Sequence, residues 1–208
     1  MLTAYVAERL PARLMLPLAG VLALAAAGGG WHSARTLAAD AGLALLLVAQ
    51  FRVWDDLADR ERDARARPHR VLVCAASVTP AVHLCVGLSA IGLTWTAIRD
   101  GGASSLAILV ALNVVLAVWY ARRGPRTAAG DHVLLAKYPA IVLVTAGARA
   151  AANPAGVLLA AAAVYLGACV YEACHDRTGP APNNRLLVAS EALLLVITLA
   201  ALSIGGRS

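Results

Sequence analysis

The feature that most constrains this chain is a recurrence. Seven apolar stretches, each long enough to cross a bilayer, are separated by short breaks rich in charge, glycine or proline. They fall at Leu14–Trp31, Thr36–Trp54, Val71–Ile98, Ala103–Tyr120, Val133–Ala152, Pro154–Tyr171 and Leu186–Ile204; a spanning helix needs roughly 17–25 such residues. Charged residues make up only 14% of the chain and hydrophobic ones 60%, a balance that excludes an ordinary water-soluble domain. The expected fold is all-α, a polytopic transmembrane bundle of about seven helices, forming a single transmembrane domain over residues 1–208. Thr79-Pro80 is expected to kink the third stretch, and Pro139 to do the same near the start of the fifth.

The basic residues orient the bundle. With the N-terminus inside and seven crossings, all Lys and Arg but Arg35, Arg99, Arg149 and Arg207 fall on or near one side. The positive-inside rule makes that side cytoplasmic, so the expected location is the cell (inner) membrane. Pro11, Arg13 and Pro17 interrupt the first apolar stretch, so no cleavable signal peptide is expected. A net charge of +6 could point to nucleic acid, but its distribution points to the bilayer, and no nucleic-acid partner is expected. Cys74, Cys85, Cys169 and Cys174 form no C-x-x-C pair. They read as small core residues, without disulfides or a zinc site.

Most of the acidic residues also lie on the cytoplasmic side, which the topology rule does not explain. The densest charge is Asp55 to Arg70, between the second and third stretches. If helix continues past Trp54, Asp56, Asp59 and Asp63 stand at i, i+3 and i+7, with Asp55 one turn behind Asp59. Carboxylates so spaced share a face and repel unless a cation lies between them. Mg²⁺ is the natural candidate, since it takes a few carboxylates and keeps positions for water or phosphate oxygens. Arg60, Arg62, Arg65, Arg67 and Arg70 then offer donors suited to phosphate. The competing reading is a solvated loop with i,i+4 pairs Asp56–Arg60, Glu61–Arg65 and Asp63–Arg67, each worth little.

Two further constellations lie on the same side. Glu172 and Asp176, one turn apart at the end of the sixth stretch, offer a second Mg²⁺ site opposite the first, or cap and interface charges. Tyr120, Arg122, Arg123 and Arg126 end the fourth stretch, either as membrane anchors or as phosphate contacts. Lys137 lies closer to a helix body, where a charge usually faces a cavity or a partner. Gln50, His83, Asn113 and Glu191 fall within membrane stretches and are expected to make interhelical contacts; Glu191 in particular needs a partner.

The sequence Arg52-Val-Trp-Asp55-Asp56-Leu-Ala-Asp59-Arg-Glu-Arg-Asp63, followed by Arg67-Pro68-His69-Arg70, resembles the first aspartate-rich motif of the UbiA superfamily of intramembrane prenyltransferases. Asp55 stands where that family usually has Asn, and Val71 where it usually has a second Pro. The Tyr120–Arg126 loop with Lys137-Tyr138-Pro139 looks like the family's basic loop. Glu172 to Asp176 sits where its second acidic motif belongs, in thinned form. The resemblance implies Mg²⁺-dependent transfer of an isoprenoid from a prenyl diphosphate to an unidentified acceptor. It implies metal ligands at Asp55, Asp56, Asp59, Asp63, Glu172 and Asp176, and catalytic roles for Asp56, Asp59, Asp63, Arg67 and Lys137. Arg60, Arg70, Arg122, Arg123 and Tyr171 are the implied substrate contacts. The family usually has nine helices, so one cavity wall is either missing or supplied by a second copy in a homo-oligomer. Terpene cyclisation and a non-catalytic binding or assembly role remain the alternatives. Under the metal reading, Asp56→Asn is expected to abolish turnover while leaving the bundle folded.

Overall fold

The computed structural model describes residues 1–30, 33–99, 102–122, 127–175 and 185–205. Regular structure among them is entirely helical. In chain order the helices are α1 (Leu2–Arg9), α2 (Ala12–Ala26), α3 (Ala34–Ala58), α4 (Arg60–Ala66), α5 (Val71–Cys74), α6 (Thr79–Ile98), α7 (Gly102–Ala121), α8 (Ala128–Leu135), α9 (Lys137–Ala146), α10 (Arg149–Ala152), α11 (Pro154–His175) and α12 (Arg185–Gly205). Five of these, α3, α6, α7, α11 and α12, are long and apolar enough to cross a membrane; a sixth span is available if the bent pair α1–α2 counts as one.

Prolines and glycines divide the chain further than the expected seven spans, two of them kinked. Pro11 sits between α1 and α2 in extended conformation, and the two helix axes meet at 60°. Val71–Ile98 is not one kinked helix. It breaks after Cys74, and Pro80 lies in the first turn of α6, where its missing N–H forfeits no helical bond. Val133–Ala152 is likewise divided. Pro139 is the third residue of α9, and its ring conflicts with the carbonyl four residues back, Leu135, where α8 ends. Gly147 then stops α9 at φ 60°, ψ −133°, a backbone region essentially restricted to glycine.

The long helix α3 runs through the centre. Its buried residues Leu43, Leu47, Gln50 and Asp40 recur at helical spacing, and it packs on α2, α6 and α9. The main core joins Leu22 and Ala26 of α2, Leu43, Leu47 and Phe51 of α3, Leu109 and Leu116 of α7, Ile141 of α9 and Val157 of α11. Small residues bring α3 and α6 together: a Cβ at Gly92 would lie 3.0 Å from the Leu47 side chain, and one at Gly42 3.1 Å from Trp95. Outward faces carry Leu14, Leu16, Val86, Leu193 and Val196 exposed. So much exposed apolar surface suits lipid and not water.

Polar contacts tie the two ends of the bundle. At one end Asp40 of α3 accepts from Arg99, just after α6, at 2.5 Å and pairs with Arg149 of α10 at 2.7 Å. There too Asn153 donates to the Gly28 carbonyl at 2.9 Å and accepts from the Gly156 amide at 3.1 Å, joining the end of α2 to the start of α11. The opposite end gathers α1, α4, α5, the end of α3 and the start of α9. Midway, Gln50 Nε2 donates to Asn113 Oδ1 at 2.8 Å, the expected interhelical bond between α3 and α7.

Candidate functional site

The helix does continue past Trp54, to Ala58, and the backbone bonds Asp59 N to Asp55 O and Asp63 N to Asp59 O carry it into α4. The four aspartates nevertheless do not gather. Successive helical residues are about 100° apart, so Asp55 and Asp56 face different neighbours, and each of the four carboxylates meets a different cation.

Asp56 is 6% exposed. Its oxygens accept from Arg9 Nε at 2.8 Å, Arg9 Nη2 at 2.5 Å and the Tyr5 hydroxyl at 2.8 Å, with Arg52 Nε 3.8 Å away. Tyr5 is fully buried, against Val53, Leu72, Ala81 and Cys85. Asp55 accepts from Lys137 of α9 and from the Tyr120 hydroxyl at the end of α7. Lys137 is itself buried, so the expectation that it faces a partner is met, by a carboxylate. Asp63 is buried and pairs with Arg70. Asp59 is half-buried and accepts from Arg62 at 3.1 Å. A shared cavity is lined by Tyr5, Glu8, Arg9, Asp56, Asp63 and Arg70.

The other assigned residues take varied positions. The solvated-loop reading fails for Asp56 and Asp63, which are buried, and two of its three pairings are replaced: Asp56 selects Arg9 over Arg60, and Asp63 selects Arg70 over Arg67. Arg60 donates to the carbonyls of Leu72 and Ala75 at 3.2 and 3.3 Å, closing the end of α5, and is placed as a structural group. Arg67 and Arg122 are exposed. Tyr171 is 60% exposed and stacks on His175 with centroids 4.0 Å apart, on the outside of α11. Glu172 is half-buried near the end of α11. Arg123 and Asp176 lie outside the described residues.

A common Mg²⁺ ion on Asp56, Asp59 and Asp63 does not fit this arrangement. Both Asp56 oxygens are taken by Arg9 and Tyr5, and Asp63 is held by Arg70. Among the described residues, the group of three His, Cys, Asp or Glu side chains with ligand atoms within 4.8 Å of one another is a different one, His132, Cys169 and Glu191. Binding Mg²⁺ at the aspartates would first require Arg9 and Arg70 to leave.

No family model, curated protein or solved structure matches the chain. The likeness to the prenyltransferase superfamily rests on the sequence motif.

Sequence reasoning missed the contribution of α1. Tyr5, Glu8 and Arg9 are more than forty residues from Asp56, and their only local signal is a short amphipathic helix before Pro11. Glu8 accepts from the Val71 amide at 2.9 Å, so α1 is clamped across the acid-rich turn from both sides. Glu191 does find the partner it was expected to need, His132, at 3.3 Å. His83 lies on the exposed face of α6. Of the four cysteines expected in the core, Cys85 and Cys169 are buried and Cys74 and Cys174 are exposed.

Proposed function

We propose that the acid-rich end of this bundle binds the diphosphate of a membrane isoprenoid, and that the chain is an intramembrane prenyltransferase whose site opens on the cytoplasmic side. The observation that carries this reading is the burial of Asp56 and Asp63 beside Arg9 and Arg70, around one small cleft at the acid-rich end of an apolar bundle. A merely solvated loop would leave these charges in water, where such pairs contribute little.

The chain's own residues supply a division of labour. Arg9, Arg70 and Lys137 are cations held at the bundle mouth by carboxylates. An incoming diphosphate competes with those carboxylates for the same donors and offers more oxygens to a guanidinium fork. Arg67, exposed on the same turn, is free in position to meet the outer phosphate. Cations aimed at the departing diphosphate stabilise the charge that develops as the allylic bond breaks. The apolar helices behind them shelter the isoprenoid chain and keep water from the carbocation. Capture by an external acceptor gives transfer, and capture by the chain's own double bond gives cyclisation.

A second reading has its own support. Asp55, Asp56, Asp59 and Asp63 are each matched by a cation within the chain, a closed set that needs no metal. That favours a non-catalytic binding or assembly protein. Incubation with a radiolabelled prenyl diphosphate, with and without Mg²⁺, separates the readings. Release of labelled product under either condition supports the transferase or cyclase. Intact substrate after prolonged incubation with folded protein and a panel of aromatic acceptors counts against both.

A further inference from the structure

We propose that His132, Cys169 and Glu191 form a binding site for a borderline-soft divalent metal ion, with Zn²⁺ the best match. The three residues come from three helices, α8, α11 and α12. Cys169 Sγ lies 3.5 Å from His132 Nδ1, and Glu191 Oε1 lies 3.3 Å from His132 Nε2. One ligand atom from each residue lies within 4.8 Å of the other two. Cys169 is 3% exposed and Glu191 7%, so both point into the bundle.

The donor set selects the ion. Mg²⁺ and Ca²⁺ take oxygen ligands and have little use for a thiol, whereas a thiolate, an imidazole and a carboxylate together suit Zn²⁺. Bonds of about 2.0–2.3 Å in a tetrahedron set neighbouring ligand atoms roughly 3.5 Å apart; the Glu191 Oε1–His132 Nε2 pair matches this, whereas Cys169 Sγ, now nearer Nδ1 but within 4.8 Å of the other ligand atoms, has to swing toward the ion on binding. A histidine gives one nitrogen to one ion. With Nε2 turned to the metal, Nδ1–H faces the Tyr165 hydroxyl, 3.2 Å away, the kind of outer contact that fixes a ligating imidazole's tautomer. On binding, the Cys169 thiol loses its proton to water and the thiolate forms the metal bond. Three protein ligands leave a fourth position for water or a ligand, the pattern of catalytic and not of purely structural zinc.

Without a metal, His132 pairs with Glu191 and Cys169 is a hydrogen-bonded thiol beside Nδ1, with no need of a thiolate. That difference sets the test. Protein purified in detergent without chelators, then dialysed against Zn²⁺, should retain about one ion per chain. Cys169→Ala and Glu191→Gln should each lower the affinity, by at least the roughly tenfold that loss of even an outer partner brings. Cys85→Ala, which removes the other buried thiol, should leave it unchanged. Co²⁺ in place of Zn²⁺ should give a thiolate-to-cobalt charge-transfer band that disappears in Cys169→Ala. Folded, monodisperse wild-type protein that retains no ion overturns the proposal. So does a cobalt spectrum identical in wild type and Cys169→Ala. The outcome does not depend on any isoprenoid chemistry at the other site.

Discussion

Asp56 accepts from three donors on α1, and this changes what its removal does. Under the metal reading Asp56→Asn is nearly silent for stability. The structure predicts otherwise, because the substitution strands the Arg9 guanidinium, whose side chain is only 15% exposed. Removing one partner of a buried pair typically costs about 3–5 kcal/mol, so a clear drop in thermal midpoint is expected. Arg9→Gln combined with Asp56→Asn should recover part of that loss, and a thermal-melt double-mutant cycle measures the recovery. Arg67 behaves differently. It is exposed, so Arg67→Lys should stay within about 0.5 kcal/mol of wild type in stability while weakening diphosphate binding through loss of the planar fork. The register of the aspartates was legible in the sequence. Their partners were not, because Tyr5, Arg9 and Lys137 reach the turn through tertiary packing that leaves no local pattern.

At the scale of elements, proline and glycine divided the chain more finely than hydropathy indicated. Apolar content located α3, α7, α11 and α12 within a few residues, since each is one unbroken helix, and fixed the end of α6 but not its start, which lies eight residues beyond Val71. It could not separate α8 from α9, because the stretch stays apolar while Pro139 and Gly147 change only the backbone. The joint between α2 and α11 is a sharper case. A Cβ at Gly156 would clash with the Asn153 amide and lie 2.5 Å from the Gly28 carbonyl oxygen. Gly156→Ala is therefore expected to destabilise the protein by about 1–3 kcal/mol, read as a lower midpoint in detergent. Gly20→Ala, where a Cβ meets nothing within 4 Å, is the matched control and should not be destabilised. The clamp on α1 predicts a further outcome. Hydrogen exchange over residues 2–9 should accelerate in Asp56→Asn while exchange in the centre of α3 stays slow.

For the whole molecule, the two ends are chemically distinct. One holds the Asp40–Arg99–Arg149 cluster and the other holds the aspartate-rich turn with α1. The Lys and Arg asymmetry predicts that the second end faces the cytoplasm. In a chain with its four native cysteines replaced, a cysteine at Arg62 should label only from the cytoplasmic side and one at Arg35 only from the opposite side. The reverse pattern would contradict the proposed orientation. The claim at the centre of this account is that the aspartate-rich end binds a prenyl diphosphate, and its most direct test is a binding titration. A non-hydrolysable prenyl diphosphate analogue should bind purified protein saturably and be displaced by inorganic diphosphate. Asp63→Asn with Arg70→Gln removes both charges of one pair and leaves neither stranded. That double variant should remain folded and bind at least about tenfold more weakly, the loss of roughly 1.4 kcal/mol expected for one phosphate contact. Equal affinity in the wild type and the double variant, or no displacement by diphosphate, would contradict it.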